Sequence, residues 1–397
     1  MNFFCVFAAM SVALGVGGAE VSSKGDNSAK AVKPPSKLAV FTSGQEGYHT
    51  FRIPAIVVSG KGTLLAFCEG RRGAHGDTGD IDTVLKRSFD GGLTWGPLQV
   101  IWDDGPHVCG NPCPVVDRTT GTIWLHSTRN DGRDHQRAID AGTSREPRTA
   151  WVTKSTDDGA TWSKPIDISP MVRKPHWRWY GTGPCNAIQT RSGRLVIPTC
   201  YSAWVEKDGK GFANYYPNVI YSDDHGKTWQ TGGTAGDSGS EATLAELSDG
   251  SLMINVRNWP HLTRGRGVAV SKDGGLSWSE PTIDEVLIDS GCQASLISYT
   301  SRPTYAKNRL LFSNPASLSP RRHKLTVRLS YDDGKTWPVA RLIHAGYSAY
   351  SNLVVLPDVS LGCLYEAGKP RGSASTIDFA AFTLDWLTDG EDTLQRR

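Results

Sequence analysis

The chain has 397 residues, enough for one large β architecture with its own hydrophobic core. Its formal net charge of +3 argues against a dedicated binder of nucleic acid or of an acidic membrane surface. Thirteen tryptophans and 43 glycines, with few long apolar runs, favour many short strands and turns over helices.

Residues 1–19 predict a secretory signal peptide. Positions 3–19 are apolar and end in small residues, and cleavage is expected after Ala19, although the first positions lack Lys or Arg. The alternative is a membrane anchor, for which the stretch is short. Residues 20–36 are rich in Ser, Lys, Ala and Pro and are interpreted as a flexible leader. Residues 37–390 are expected to form a single domain. The mature protein is expected to be a monomer in a secreted, periplasmic or other extracytoplasmic compartment, without membrane insertion after signal removal.

Short strand-like runs recur from residue 37 onward, separated by Gly, Asp, Asn or Pro. In chain order the predicted strands are Leu38–Phe41, Ala55–Val58, Leu64–Cys68, Thr83–Arg87, Thr122–His126, Ala150–Lys154, Leu195–Thr199, Asn218–Tyr221, Ser251–Val256, Gly267–Ser271, Leu310–Ser313, Leu325–Ser330, Leu353–Leu356 and Gly362–Tyr365.

One eight-residue pattern, Ser-x-Asp-x-Gly-x-Thr/Ser-Trp, punctuates these strands. Its five copies are Ser88–Trp95, Ser155–Trp162, Ser222–Trp229, Ser271–Trp278 and Ser330–Trp337. The central Asp and Gly suit a tight turn, and the Trp can pack between neighbouring sheets. A calcium or ligand loop is the alternative, but such a turn needs these residues whether or not a ligand binds. A repeat every ~50–70 residues predicts an all-β, six-bladed β-propeller of four-stranded antiparallel sheets, with one blade lacking the pattern.

The cysteines and histidines predict neither a metal site nor a cofactor site. Removing the signal leaves seven cysteines without a Cys-x-x-Cys spacing, and no His-Glu-x-x-His occurs. Most of the cysteines are expected to be buried apolar residues. Whether Cys109 and Cys113 pair across a loop stays open at this stage.

Several segments outside the repeats carry charged or phenolic side chains beside strand ends. They are Phe51-Arg52-Ile53-Pro54, the Gly-rich acidic loop from Cys68 through Arg71, Asp77 and Asp80 to Asp82, Cys109 to Val115, Ser240-Glu241, Asn255 to Asn258, Gly291 to Ala294, Phe312 to Arg322, and Tyr347 to Asn352. Each is weak alone. A calcium loop at Asp77, Asp80 and Asp82 is one alternative, although the spacing lacks a complete ligand set and a terminal Glu.

Taken in order across residues 41–366, these segments and the repeats resemble the exo-α-sialidases, whose Asp boxes lie on the face away from the active site. The resemblance implies a role for each of nine residues. Arg52, Arg257 and Arg322 would bind the substrate carboxylate, Asp77 would be the acid/base, Tyr350 the nucleophile and Glu241 its base, while Arg71, Asn111 and Gln293 would line the sugar pocket. Arg321 is the rival of Arg322, and Tyr347 is the rival of Tyr350.

This set of residue types suits the chemistry of a sialoside. Arginine binds a carboxylate through a planar fork and stays charged. A neutral Tyr avoids the approach of two anions at an anomeric carbon that carries a carboxylate, and sialidases use a Tyr for this reason. The sequence therefore predicts a retaining hydrolase of sialylated glycoproteins, glycolipids or oligosaccharides that needs no cofactor. The alternatives are a non-catalytic sialoglycan-binding propeller and a trans-sialidase variant of the same site.

Overall fold

The computed structural model describes residues 34–258, 264–318, 322–368 and 374–397. Within them the chain is almost entirely β, as predicted, with three short helices at Gln136–Ala141 (α1), Ser169–Val172 (α2) and Leu384–Leu387 (α3). No helix among these residues is long and apolar enough to cross a membrane. The predicted signal peptide lies outside the described residues.

Hydrogen-bonded pairing groups the described strands into successive antiparallel units. After β1 (Ser36–Thr42), the first unit contains β2 (Thr50–Val58), β3 (Leu64–Arg71), β4 (Ile81–Ser88) and β5 (Gln99–Trp102). The second contains β6 (Val108–Val116), β7 (Ile123–Asn130), β8 (Thr149–Ser155) and β9 (Ile166–Asp167). In the third, β10 (Tyr180–Thr182) and β11 (Ile188–Gln189) both pair with β12 (Leu195–Lys207), followed by β13 (Lys210–Ser222) and β14 (Gln230–Thr234).

The remaining units follow the same order. The fourth contains β15 (Ala242–Glu246), β16 (Leu252–Val256), β17 (Gly265–Ser271) and β18 (Thr282–Ile288). The fifth contains β19 (Ser295–Thr300), β20 (Arg309–Pro315), β21 (His323–Ser330) and the first part of β22 (Val339–Val355). The last contains the rest of β22, then β23 (Leu361–Gly368) and β24 (Thr376–Phe382), and finally β1.

The two ends of the chain meet in the last unit, where β1 pairs with β24. This pairing explains why the last unit lacks the repeated turn: the turn joins the third and fourth strands of a unit, and here those strands come from opposite ends of the chain. The all-β class and the four-stranded antiparallel units are confirmed. Closure of six such units into a propeller stays a prediction, which this pairing supports.

Each repeated turn is built by the same hydrogen bonds. In the first copy the Ser88 hydroxyl donates to Asp90 and accepts from the backbone N–H of Gly92, while Asp90 accepts from the N–H and hydroxyl of Thr94. Within this turn the serine, aspartate and threonine side chains thus satisfy one another and the local backbone N–H groups. These contacts support the structural interpretation of the pattern over a ligand loop.

The turns also join neighbouring units. A Cβ on Gly92, Gly159 or Gly226 would lie within 2.4 Å of a side chain in the preceding unit, so these glycines allow a close approach that no other residue fits. The tryptophans of the repeats pack across the same boundary between neighbouring units, which we call the seam. Trp95 packs against Phe379, Trp162 against Phe67 and Trp229 against Trp124, with ring centroids 5.6–6.0 Å apart.

Trp229→Ala should lower the free energy of unfolding by about 3–5 kcal/mol, because the side chain is buried in the seam between two units and its removal leaves a cavity. Chemical denaturation measures the loss. The matched control is Trp204→Ala, since Trp204 is 41% exposed. Equal stability of the two variants would contradict a scaffold role for the repeat.

The structure answers one question that the sequence left open. The seven described cysteines are all free and buried, so Cys109 and Cys113 do not pair in this structure. The strand β1 begins at Ser36, the last residue of the predicted leader. The domain bounds otherwise stay a prediction.

Candidate active site

A cavity of about 210 Å³ opens at the end of the strands opposite the repeated turns. The strand β4 shows this polarity: it starts beside the cavity at Ile81 and runs to the first repeat at Ser88. No described residue of the repeats lines the cavity. Five arginines and three carboxylates line it together with Tyr350. They are Arg52, Arg71, Arg148, Arg257, Arg322, Glu69, Asp77 and Glu241.

A tyrosine and a glutamate form the centre of this cavity. Tyr350 lies in β22, and Glu241 immediately precedes β15. The Tyr350 hydroxyl donates a hydrogen bond to Oε1 of Glu241, and Arg257 binds Oε2 of the same carboxylate at 2.6 Å. A carboxylate held in this way can accept the phenolic proton.

The charges favour that direction of proton transfer. Burial raises the pKa of Glu241, but Arg257, the hydrogen bond from Tyr350 and Arg322 together lower it below its usual value, so Glu241 is ionised. Burial, followed by the Glu241 charge, holds the pKa of Tyr350 well above its usual value. The resting pair is therefore a neutral phenol beside a carboxylate base.

Three arginines surround the phenol ring. The guanidinium carbons of Arg52 and Arg322 lie 5.4 and 5.6 Å from the ring centroid of Tyr350, and Arg257 reaches the pair through Glu241. All three line the cavity, where together they can receive an anion. The rival Arg321 lies outside the described residues. The rival Tyr347 is not among the described residues that line the cavity.

Arg52 has a buried partner that the sequence interpretation missed. Glu366 on β23 is fully buried and accepts from Nε of Arg52 at 3.2 Å and from the backbone N–H of Ile53 at 2.9 Å. Ile53 has a positive φ of 59°, and the pairing register shifts between Arg52 and Ala55. The irregular strand thus turns Arg52 into the cavity while Glu366 holds its orientation.

Asp77 lies at the rim, in the loop between β3 and β4. Its side chain is 74% exposed, and its carboxylate lies 2.8 Å from Arg71 and 3.6 Å from Arg52. Partial loss of hydration at the cavity rim raises the pKa of Asp77, but Arg71 and Arg52 lower it more, so the net pKa is below the usual value. The carboxylate of Asp77 therefore lies beside Arg52, one of the three arginines around the phenol ring.

Comparisons with known proteins agree with this geometry. Residues 62–363 match the model of the BNR repeat-like domain. An exo-alpha-sialidase of Arthroderma benhamiae is 33% identical over 388 residues, which cover 90% of this chain and 88% of the relative. The chain belongs to the sialidase family.

Two further comparisons place it within this family. A sialidase of Micromonospora viridifaciens is 35% identical over 381 residues, which cover 90% of this chain but 56% of the relative, so the chain spans little more than half of that protein. The solved structure of the Hadza microbial sialidase Hz136 superposes with a TM-score of 0.77 at 31% identity, covering 88% of this chain and 69% of that one.

Of the three residues expected to line a sugar pocket in a sialidase, two line this cavity. Arg71 is buried, binds Glu69 at 2.6 Å and donates to the carbonyl of Gly76, which fixes the loop that carries Asp77. Asn111 has a positive φ of 56°, and its backbone N–H donates to Glu69 at 2.8 Å. Both residues line the cavity.

Gln293 does not line the cavity, contrary to the expectation. It is buried behind the wall, where its amide accepts from the N–H of Ser351 and donates to the carbonyl of the same residue, both at 3.1 Å. Because Ser351 follows Tyr350 directly, these two bonds fix the backbone that carries the phenol.

The calcium-loop alternative is not supported for Asp77, which faces Arg71 and Arg52. Asp80 and Asp82 instead form a group with Asp103, and the oxygens of the three lie within 4.8 Å of one another. Arg72 contacts all three carboxylates at 2.7–3.4 Å and so offsets part of their charge.

The sequence interpretation also missed the wall of this sialidase cavity that the second and third units form. Gln136 of α1, Arg148, Trp179 and Tyr215 line it. Asp140 of α1 accepts hydrogen bonds from Ser202 and Tyr215, which joins the insertion before β8 to the long β12–β13 hairpin. No short motif marks these residues, because the insertion has no strand periodicity.

Proposed function

We propose that this sialidase hydrolyses terminal sialic acids from sialylated glycoproteins, glycolipids or oligosaccharides, with retention of configuration. The observation that carries the proposal is the Tyr350–Glu241 hydrogen bond beneath the arginines Arg52, Arg257 and Arg322. A protein that only binds sugar needs the arginines, but it has no use for a phenol held against an ionised carboxylate. The non-catalytic alternative is therefore disfavoured.

The proposed reaction has two displacements. The sugar carboxylate displaces Asp77 from Arg52 and binds the three arginines. Glu241 takes the phenolic proton as the oxygen of Tyr350 attacks the anomeric carbon, and Asp77 in its acid form protonates the departing glycosidic oxygen. Asp77 then deprotonates a water molecule, which attacks the same carbon as the bond to Tyr350 breaks, and Glu241 returns its proton to the departing phenolate oxygen. Two inversions give net retention.

Incubating the full chain with a fluorogenic sialoside and following the product by NMR tests this function. We expect release of the fluorophore, with the α-anomer of free sialic acid appearing first and converting later to the equilibrium mixture. First appearance of the β-anomer would exclude the tyrosyl intermediate. Product in which the sugar is joined to an added acceptor sugar would identify the trans-sialidase variant.

We also propose that residues 1–19 direct secretion and that the mature protein acts as a monomer. The apolar stretch ending in Ala19 supports the first point. The cavity supports the second, since every group named in the reaction comes from one chain.

A further inference from the structure

Two of the buried cysteines lie at the boundary between the second and third units. Cys113 is in β6, and Cys185 lies between β10 and β11. Both residues are 0% exposed, and both thiols are free in the structure. The proposed reaction uses neither of them, so a different role has to account for their place in the fold.

Two hydrogen bonds, one on each side of the cysteines, join their backbone segments. The hydroxyl of Thr182 donates to the carbonyl of Asn111 at 2.6 Å. Further along, the N–H of Ala187 donates to the carbonyl of Pro114 at 2.9 Å. The two segments therefore run side by side in the same direction, and each cysteine lies between these contacts. Segments joined in this way are about 5 Å apart, within the Cα separation of ~4.4–6.8 Å that a disulfide spans.

The two thiols also face each other. Burial raises the pKa of the Cys113 thiol well above its usual value, and the next cause is a hydrogen bond with the Cys185 thiol. Within the described part of the chain, the other hydrogen bonds of the Cys185 sulfur go to the backbone carbonyls of Asn186 at 3.4 Å and of Ala242 at 3.8 Å. Since a thiol is a weak donor, these long contacts hold the sulfur only loosely.

This pair differs from the other described cysteines. Each of the other five has a pKa raised mainly by burial, and no second thiol is among the main causes of the shift; they are Cys68, Cys109, Cys200, Cys292 and Cys363. A zinc site is not supported at the pair, because zinc takes at least three protein ligands and the described residues bring no third His, Cys, Asp or Glu to these sulfurs.

We propose that Cys113 and Cys185 form a disulfide while the chain folds, and that this bond joins the second and third units behind the cavity. Asn111 and Thr182, which precede the two cysteines closely in the chain, both line the cavity, so the bond lies just behind its lining. The proposed secretion takes the chain into a compartment where disulfides form and persist.

The oxidant for this step is a disulfide of low molecular weight, such as glutathione disulfide. The thiolate of one cysteine attacks a sulfur of the oxidant, which gives a mixed disulfide and releases one small thiol. The second cysteine then attacks the protein sulfur of the mixed disulfide and releases the second small thiol. The two cysteines together lose two protons and two electrons, and the oxidant is reduced to two thiols.

Burial limits this exchange to the time before the two units pack together. In the folded chain both residues are inaccessible, and the raised pKa of Cys113 leaves almost none of the thiolate that would attack. A chain that folds reduced should therefore stay reduced, and a chain that folds oxidised should be protected from reductants. The redox state reached during folding is retained afterwards.

The test refolds the denatured, reduced full chain with either glutathione disulfide or an excess of reduced glutathione. Free thiols are then blocked with N-ethylmaleimide in denaturant, and the peptides are mapped by mass spectrometry. In the oxidised sample we expect two fewer blocked cysteines and one linked peptide pair that carries Cys113 and Cys185. Its Tm should be about 5–10 °C above that of the reduced sample, because a cross-link that closes a loop of ~70 residues restricts the unfolded chain.

Cys113→Ala should abolish both the linked peptides and the difference in Tm between the oxidised and reduced samples. Cys109→Ala is the matched control, because Cys109 is on the same strand and equally buried but has no thiol among the main groups that act on it. The control should keep the link and the difference in Tm. Each variant is compared with itself in two redox states, so the cost of the substitution itself cancels.

Oxidative refolding that leaves every thiol free, or that links Cys113 to Cys109 instead, would overturn the proposal. A linked pair that does not raise the Tm would do the same. Oxidant added to the chain after it has folded reduced should form the link more than about tenfold more slowly than during refolding, because the sulfurs are reached only by local unfolding. Equal rates would refute formation during folding.

If the denatured chain does not refold, expression in a reducing cytoplasm and in an oxidising periplasm supplies the two states for the same thiol count and Tm. None of these measurements depends on cleavage of a sialoside. Failure of the proposed function and failure of this inference are therefore observed separately.

Discussion

Tyr350→Phe should reduce turnover on every sialoside by on the order of 10³-fold or more while sialic acid still binds, because the change removes the attacking oxygen and little else. The carboxylate-binding arginines remain, and the ring that lies between Arg52 and Arg322 is kept. Steady-state kinetics gives the loss in kcat, and calorimetry with free sialic acid gives the binding.

Tyr347→Phe is the matched control for this experiment. Tyr347 packs against the same small cluster as Tyr350, but it is not hydrogen-bonded to Glu241 in the structure and does not line the cavity. The Tyr347→Phe variant should retain near wild-type kcat. A folded Tyr350→Phe enzyme with unchanged turnover, or a Tyr347→Phe enzyme that loses it, would move the nucleophile to Tyr347.

The expected size of the effect follows from the cost of ionising the phenol. An ordinary tyrosine costs roughly 5 kcal/mol to ionise at pH 6, and burial raises the pKa of Tyr350 further. A base already hydrogen-bonded to the hydroxyl removes most of this cost during attack. The low pKa of Glu241 ensures that this base is ionised at that pH.

Local signals explain which parts of the molecule the sequence could predict. Each of the fourteen predicted strands overlaps an observed one, because alternation and turn residues are encoded in each short segment, but β12, β13 and β22 extend far beyond the predicted bounds. The missed strands include β9 and β11, which have two residues each and carry no pattern, but also longer ones such as β6, which contains Gly, Asn and Pro, and β24. The pairing of β1 with β24 joins the chain ends, which no local window contains.

The same limit applies to the site. Residues in short motifs, such as Arg52 and Tyr350, could be assigned by resemblance. Glu366 contacts Arg52, and Arg148 contacts Asn111. The two members of each pair are more than 30 residues apart, so only the folded chain brings them together. Gln293 was assigned to the pocket because sequence order alone cannot distinguish a lining side chain from one behind the wall.

The behaviour of Asp77 depends on an exchange of partners that the structure suggests. In the resting cavity Asp77 is paired with Arg71 and Arg52, and its pKa is below the usual value. A substrate carboxylate that binds Arg52 brings a negative charge near Asp77 and weakens its hold on a cation. Both changes raise the pKa of Asp77 and favour the acid form that a leaving group needs.

Asp77→Ala should therefore lower kcat/KM about 10²–10⁴-fold on sialyllactose and far less on a nitrophenyl sialoside, because only a basic leaving alkoxide needs a proton as the first bond breaks. The protonated form is the active one, so wild-type kcat/KM on sialyllactose should fall as pH rises through the pKa of Asp77 in the free enzyme. Asp80→Ala is the matched control, since Asp80 lies in the same loop but contacts Arg72. Equal losses on both substrates, or a control that behaves like Asp77→Ala, would remove Asp77 from the acid role and leave the loop itself as the cause.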